Sequence, residues 1–129
     1  MTPPIVPIPI LILVACRDLM FRSKIDVMLR HSGLTPGVLR ASDDPAAVLA
    51  AGRPSAIILD LRLGPERWRP IVAEARAATP PIPILAFGPH IDRAAQAAAR
   101  AAGCTLVVAN SRLSRDLPAL IQQVLDDAS

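Results

Sequence analysis

Five short apolar runs, each followed by a helix-length stretch, set the strongest limit on what this chain can become. The runs are Ile8–Ala15 (IPILILVA), Gly37–Ala41 (GVLRA), Ala56–Asp60 (AIILD), Ile82–Phe87 (IPILAF) and Leu106–Ala109 (LVVA). Runs of this length, bounded by turn residues and lacking polar alternation, suit strands buried on both faces. The stretches between them carry helix signals. Asp18 is placed to cap the first helix, Phe21, Ile25, Met28 and Leu29 follow at helical spacing, and Gly33 stops it. A second, Ala-rich helix follows Asp44-Pro45 and ends at Gly52. A third is expected near Pro70 to Ala78, with proline in its first turn, where a missing N–H costs little. The fourth runs from about Ile91 to Ala102 and ends at Gly103. The fifth is capped by Ser114 and carries Leu117, Leu120, Ile121, Val124 and Leu125 on one stripe.

Strand then helix, five times over, predicts a parallel sheet, because crossovers of this length return the chain to the same end of the sheet. The expected fold class is therefore α/β: a (βα)5, doubly wound, five-stranded parallel sheet. No linker, repeat or low-complexity stretch divides residues 1–129, so one domain is expected. Its 129 residues suffice for a single core, and at 52% hydrophobic and 19% charged the chain is globular. Phe21, Phe87 and Trp68 are its only aromatic residues. The core is thus left to Ile, Leu, Val and Ala.

The same scarcity of rings argues against nucleic-acid binding by stacking. The net charge is +3 and the pI about 9.7. Lys24 is the only lysine among fourteen basic residues, and the arginines are scattered without a block of like charge. Cys16 and Cys104 both stand in apolar, strand-like context and read as reduced thiols of a cytoplasmic protein. Residues 1–16 carry no charged side chain, yet they do not read as an export signal, since the basic residues follow the apolar run. Pro3, Pro4, Pro7 and Pro9 break the run, which falls short of the about 20 residues needed to span a bilayer. No membrane association is expected.

In an open parallel sheet, ligands bind beyond the carboxyl ends of the strands, near the point where strand order reverses. The residues there are Cys16, Arg17 and Asp18; Asp60 and Arg62; Gly88 and His90; and Asn110, Ser111 and Arg112. The order of elements, with an aspartate closing the third run in IILDLRLGP (Ile57–Pro65), resembles the receiver domain of response regulators. IPILAF matches that family's fourth strand and GCTLVVA (Gly103–Ala109) its fourth-helix end and fifth strand. DLMFRSKI (Asp18–Ile25) looks like the first helix of certain stand-alone receiver-like proteins. The resemblance covers the whole chain and implies a flavodoxin-like, receiver-like sheet of strand order 2-1-3-4-5, with Asp60 at the phosphate-accepting position.

Phosphorylating an aspartate needs Mg²⁺ held by carboxylates, a hydroxyl and a balancing cation. Receivers place two acidic residues just after the first strand; Ala15 and Cys16 stand there, with Asp18 nearby as a helix cap. Ala86, Phe87 and Gly88 offer no hydroxyl at the end of the fourth strand. Asn110 replaces the lysine after the fifth strand and Ser111 its proline, and Val107 or a neighbour replaces the aromatic switch residue. The reading is a stand-alone pseudo-receiver, part of two-component signal transduction by resemblance. In it, Arg17 or Arg62 pairs with Asp60 and supplies by salt bridge the charge a metal would bring. A phospho-accepting receiver at Asp60 is the alternative.

A second alternative is enzymatic. Cys16 to Ser23 fits C-x5-R-S directly after the first strand and resembles the phosphate loop of low-molecular-weight tyrosine phosphatases. Cys16 would be the nucleophile, with Arg22 and Ser23 completing the loop. Leu19, Met20 and Phe21, however, suit a helix already under way better than a loop curled around an anion. No cofactor is implied: there is no Gly-x-Gly-x-x-Gly after a strand and no Ser/Thr-rich flavin-phosphate loop. His31 and His90 stand apart from Cys and carboxylates, so no metal centre is expected.

What remains for such a fold is recognition, of a protein partner or a second copy, through the face made by the fourth helix, fifth strand and fifth helix. Arg93 and Arg100 flank the alanine-rich fourth helix there. Trp68, between Arg67 and Arg69, is either an exposed anchor or a cover for the sheet. No effector domain is expected, as Ser129 closely follows the fifth helix.

Overall fold

A computed structural model describes residues 9–128. Its strands are β1 (Leu11–Ala15), β2 (Thr35–Val38), β3 (Ala56–Asp60), β4 (Ile84–Gly88) and β5 (Leu106–Ala109). They alternate with α1 (Leu19–His31), α2 (Pro45–Ala51), α3 (Pro65–Ala77), α4 (Arg93–Ala102) and α5 (Asn110–Asp127), and a single 3-10 turn (Leu61–Leu63) leads from β3 to α3. The five strands form one parallel sheet of order β2-β1-β3-β4-β5, as the element pattern and the family resemblance imply.

Side-chain alternation along each strand builds two cores. Leu13, Ile57, Leu59, Ile84 and Ala86 face α2, α3 and α4. Ile12, Val14, Ile58, Leu85 and Phe87 face α1 and α5. Every residue of β3 and β4 is buried, which is why these strands read as unbroken apolar runs. β2 is an edge strand of sequence TPGV, where Pro36 costs least. Among the described residues, no helix is long and apolar enough to cross a membrane.

Several boundaries differ from expectation, each for a local reason. The expected start of the first strand at Ile8 lies outside the described residues; the ladder begins at Leu11, after Pro9. β2 ends at Val38 instead of Ala41, because the Asp43 carboxylate accepts the Arg40 N–H at 2.8 Å and the Asp43 N–H returns to the Arg40 carbonyl, closing a turn. β4 begins after Pro83, since the Ile82 N–H is taken by the Ala75 carbonyl. α4 begins at Arg93, with the Asp92 carboxylate accepting the Ala95 N–H. α5 starts at Asn110 directly from β5 and is kinked at Asp116, two residues before Pro118, so Ser114 lies inside it and does not cap it.

The third helix brings the largest correction. Its first-turn proline is Pro65, preceded by Gly64 at φ +91°, and Pro70 lies inside it. Starting there, the helix carries Trp68 onto the inward stripe with Ile71, Val72 and Ala75. Trp68 is 1% exposed and is therefore a core residue, not an exposed partner anchor. Charge meets it on the ring face, where the Arg69 guanidinium lies 4.8 Å from the ring centroid.

Candidate functional site

The carboxyl ends of β1 and β3 are neighbours in the sheet, and this adjacency builds the site. Asp60, the last residue of β3, is 0% exposed and the only buried charged residue among those described. Its oxygens are both engaged. Oδ2 accepts the backbone N–H of Arg17 at 3.0 Å, and the Cys16 thiol donates to the same oxygen from 3.7 Å. Oδ1 accepts the backbone N–H of Arg62 at 2.9 Å, which caps the 3-10 turn. The carboxylate is thus held by two charge-assisted bonds from main chain on either side.

The expected arginine pairing takes a different form. Arg62 Nε stands 3.9 Å from Asp60 Oδ1, a loose ion pair from a side chain 43% exposed. Arg17 reaches Asp60 through its backbone and leaves its guanidinium outside. Backbone dipoles, rather than a fixed salt bridge, carry most of the compensation for the buried charge. Sequence reading pointed to both residues but not to this mode, because an N–H donor has no side-chain signature.

Asp18 is likewise committed. Its Oδ1 accepts the N–H groups of Met20 at 2.8 Å and Phe21 at 3.2 Å, capping α1. Gly88 ends β4, and a Cβ built on it would meet the Leu61 side chain at 3.4 Å. Phe87, paired in register with Asp60, belongs to the α1/α5 face, where its ring lies 5.3 Å from Phe21. Asn110 opens α5, with its Oδ1 buried and without a partner. Ser111, Arg17 and His90 are exposed.

The Mg²⁺ that the resemblance implies does not fit this donor set. A hard cation takes several oxygen ligands, whereas Asp60 is fully buried with an N–H on each oxygen, Asp18 caps a helix, and the residue beside Asp60 at the end of β1 is a thiol. Among the described residues, no group of three His, Cys, Asp or Glu is placed to hold a metal.

The C-x5-R-S segment also has no cradle form. Leu19 to Ser23 are helical, and Arg22 lines a groove against Pro36, Gly37 and Val38 instead of facing Cys16. Burial pushes the Cys16 thiol up to about 11, and the neighbouring Asp60 carboxylate adds to the rise, the opposite of what a nucleophile needs. Cys104, free and buried in the opposite core, is raised to about 11 by burial alone. A groove of about 560 Å³ lies at the far end of the sheet, lined by Ile10, Leu34, Arg53 and Pro83.

On the expected recognition face, Arg93 and Arg100 are both exposed on α4, and Arg100 also reaches the Val107 carbonyl at 3.5 Å.

No family model matches the chain, and no curated protein matches it in sequence. Solved structures do. A protein described as a response regulator from Chloroflexus aurantiacus is 22% identical at a TM-score of 0.75, over 92% of this chain and 98% of that one. A response regulator receiver protein from Sinorhizobium medicae is 17% identical at 0.76, over 94% and 98%. An orphan response regulator of H. pylori is 14% identical at 0.74, over 90% and 96%. The fold is that of response-regulator receiver domains.

Proposed function

We propose that this chain is a receiver-fold signalling module that acts through protein contacts and does not use Mg²⁺-dependent phosphorylation of Asp60. The observation that carries the reading is the closure of Asp60: fully buried, with both oxygens bonded to backbone N–H groups. Phosphorylation would require breaking those bonds and admitting a dianion beside a carboxylate with no metal to separate them. A glycine without a hydroxyl at the end of β4, and Asn110 in place of a cation, support the same reading. In this account Asp60 is a structural tie between β1 and β3. Residues 1–129 act as one receiver-like unit, and the exposed face of α4, with β5 and α5, is a contact surface for a partner or a second copy.

Incubation with acetyl phosphate and Mg²⁺ followed by intact mass measurement tests the absence of phosphorylation. The expected spectrum shows no phosphoryl adduct under conditions that load a competent receiver. An adduct that disappears in Asp60→Ala would overturn the proposal. Light scattering over a concentration series, with and without Arg93→Glu and Arg100→Glu, tests self-association through the α4 face.

A further inference from the structure

The carboxyl end of the sheet carries a row of basic side chains, one beyond each strand. In the spatial order β2-β1-β3-β4-β5 these are Arg40, Arg17, Arg62, His90 and Arg112, all exposed. The guanidinium groups of Arg40, Arg17 and Arg112 make no ion pair or side-chain hydrogen bond among the described residues. Of the carboxylates at the same end, Asp18, Asp43, Asp44, Asp60 and Asp92 accept backbone N–H groups, and Glu66 makes no hydrogen bond or ion pair among the described residues. Asp18, Asp44 and Asp92 cap α1, α2 and α4, each through Oδ1. Acids and bases are thus close in number there, but all these acids except Glu66 are bonded to backbone, while the arginines extend to solvent.

We infer that this end of the sheet is a docking surface for an acidic peptide segment of a partner protein. Neighbouring strands are about 4.8 Å apart, so the row spans roughly 19 Å, the length of about six extended residues. Guanidinium groups pair carboxylates through two parallel bonds, which favours a peptide bearing Asp or Glu over a diffuse anion. Two features favour a peptide over nucleic acid. Trp68 and Phe87 are in the core and the half-buried Phe21 ring is packed on Phe87, so the row has no set of exposed rings for stacking beside it. The second oxygens of Asp18, Asp44 and Asp92 have no partner among the described residues, and a peptide backbone brings N–H donors for them where a phosphodiester brings only repulsion. The inference does not depend on the state of Asp60, since the row is exposed whether or not that carboxylate ever reacts.

The test uses the full chain and a fluorescein-labelled hexaglutamate peptide, followed by fluorescence anisotropy, with a labelled oligo-dT as the competing probe. The account predicts saturable, salt-sensitive binding of hexaglutamate. It predicts at least tenfold weakening in the triple variant Arg17→Gln, Arg40→Gln, Arg112→Gln, whose exposed side chains leave the fold intact by circular dichroism. A control triple variant with the same charge change at the other end of the sheet, Arg30→Gln, Arg53→Gln, Arg76→Gln, is predicted to change affinity less than twofold. Equal weakening in both triple variants, no hexaglutamate binding, or tighter binding of oligo-dT would each overturn the inference.

Discussion

The backbone N–H of Arg17 donates to Asp60 Oδ2 at 3.0 Å, a contact 43 residues long in sequence that ties the end of β1 to the end of β3. With the Arg62 N–H on the other oxygen, it makes the most chemically suggestive carboxylate of the chain into a cap for two main-chain turns.

Removing that cap is predicted to destabilise the protein. Asp60→Ala loses two hydrogen bonds to a charged acceptor and leaves two donors without their partner, a cost of about 3 kcal/mol. Asp60→Asn keeps one good acceptor and is predicted to cost about half as much. Urea unfolding midpoints check this. In a site where several carboxylates crowd together for a metal, neutralising one relieves repulsion, so a stabilised Asp60→Asn would contradict the account.

A second prediction concerns alkaline pH. Burial, reinforced at Cys16 by the Asp60 carboxylate, raises the folded-state thiols of Cys16 and Cys104 from 9.0 to about 11. An unfolded chain releases these protons first, so the unfolded state binds fewer protons between those values and stability falls as pH rises through that window. Below about pH 9 the contribution is fully present. The chain has no tyrosine and one lysine, so few other side chains titrate in this range. Unfolding midpoints at pH 8 and pH 10.5 are expected to drop more in wild type than in Cys16→Ser, Cys104→Ala. The raised thiol also predicts no p-nitrophenyl phosphate hydrolysis that Cys16→Ser removes.

A third prediction separates the two readings of Trp68. As a core residue 1% exposed, it should emit at short wavelength and resist iodide quenching. Trp68→Ala is predicted to cost about 3–5 kcal/mol of stability. A red-shifted, readily quenched emission with unchanged stability would restore the surface-anchor reading.

Much of this was legible in the residues. β3 and β5 are bounded where the apolar runs end, because strands buried on both faces leave little room for polar residues. Asp60 stood out because a carboxylate closing such a run must find donors. The donors themselves were hidden, since they are backbone amides of Arg17 and Arg62, placed by strand adjacency and a 3-10 turn rather than by residue type. Adjacency could have brought Cys16 to Asp60 earlier, as order 2-1-3 makes the residues ending β1 and β3 neighbours. Trp68 was ambiguous because Pro70 reads as a helix start, while Pro65, after Gly64, performs that role five residues sooner. The edge strand β2 was misplaced because TPGV has almost no apolar signature, and its register is imposed by β1.

The most direct test of the central claim reads the two amides that hold Asp60. In a ¹⁵N-resolved spectrum titrated with Mg²⁺ and then beryllofluoride, the N–H signals of Arg17 and Arg62 are predicted to keep the shifts and slow solvent exchange of donors bonded to a buried carboxylate. Movement of both signals on adding Mg²⁺, with a further saturable shift on adding beryllofluoride, would show that Asp60 gives up its backbone partners for a metal and a phosphoryl mimic, and would contradict the account.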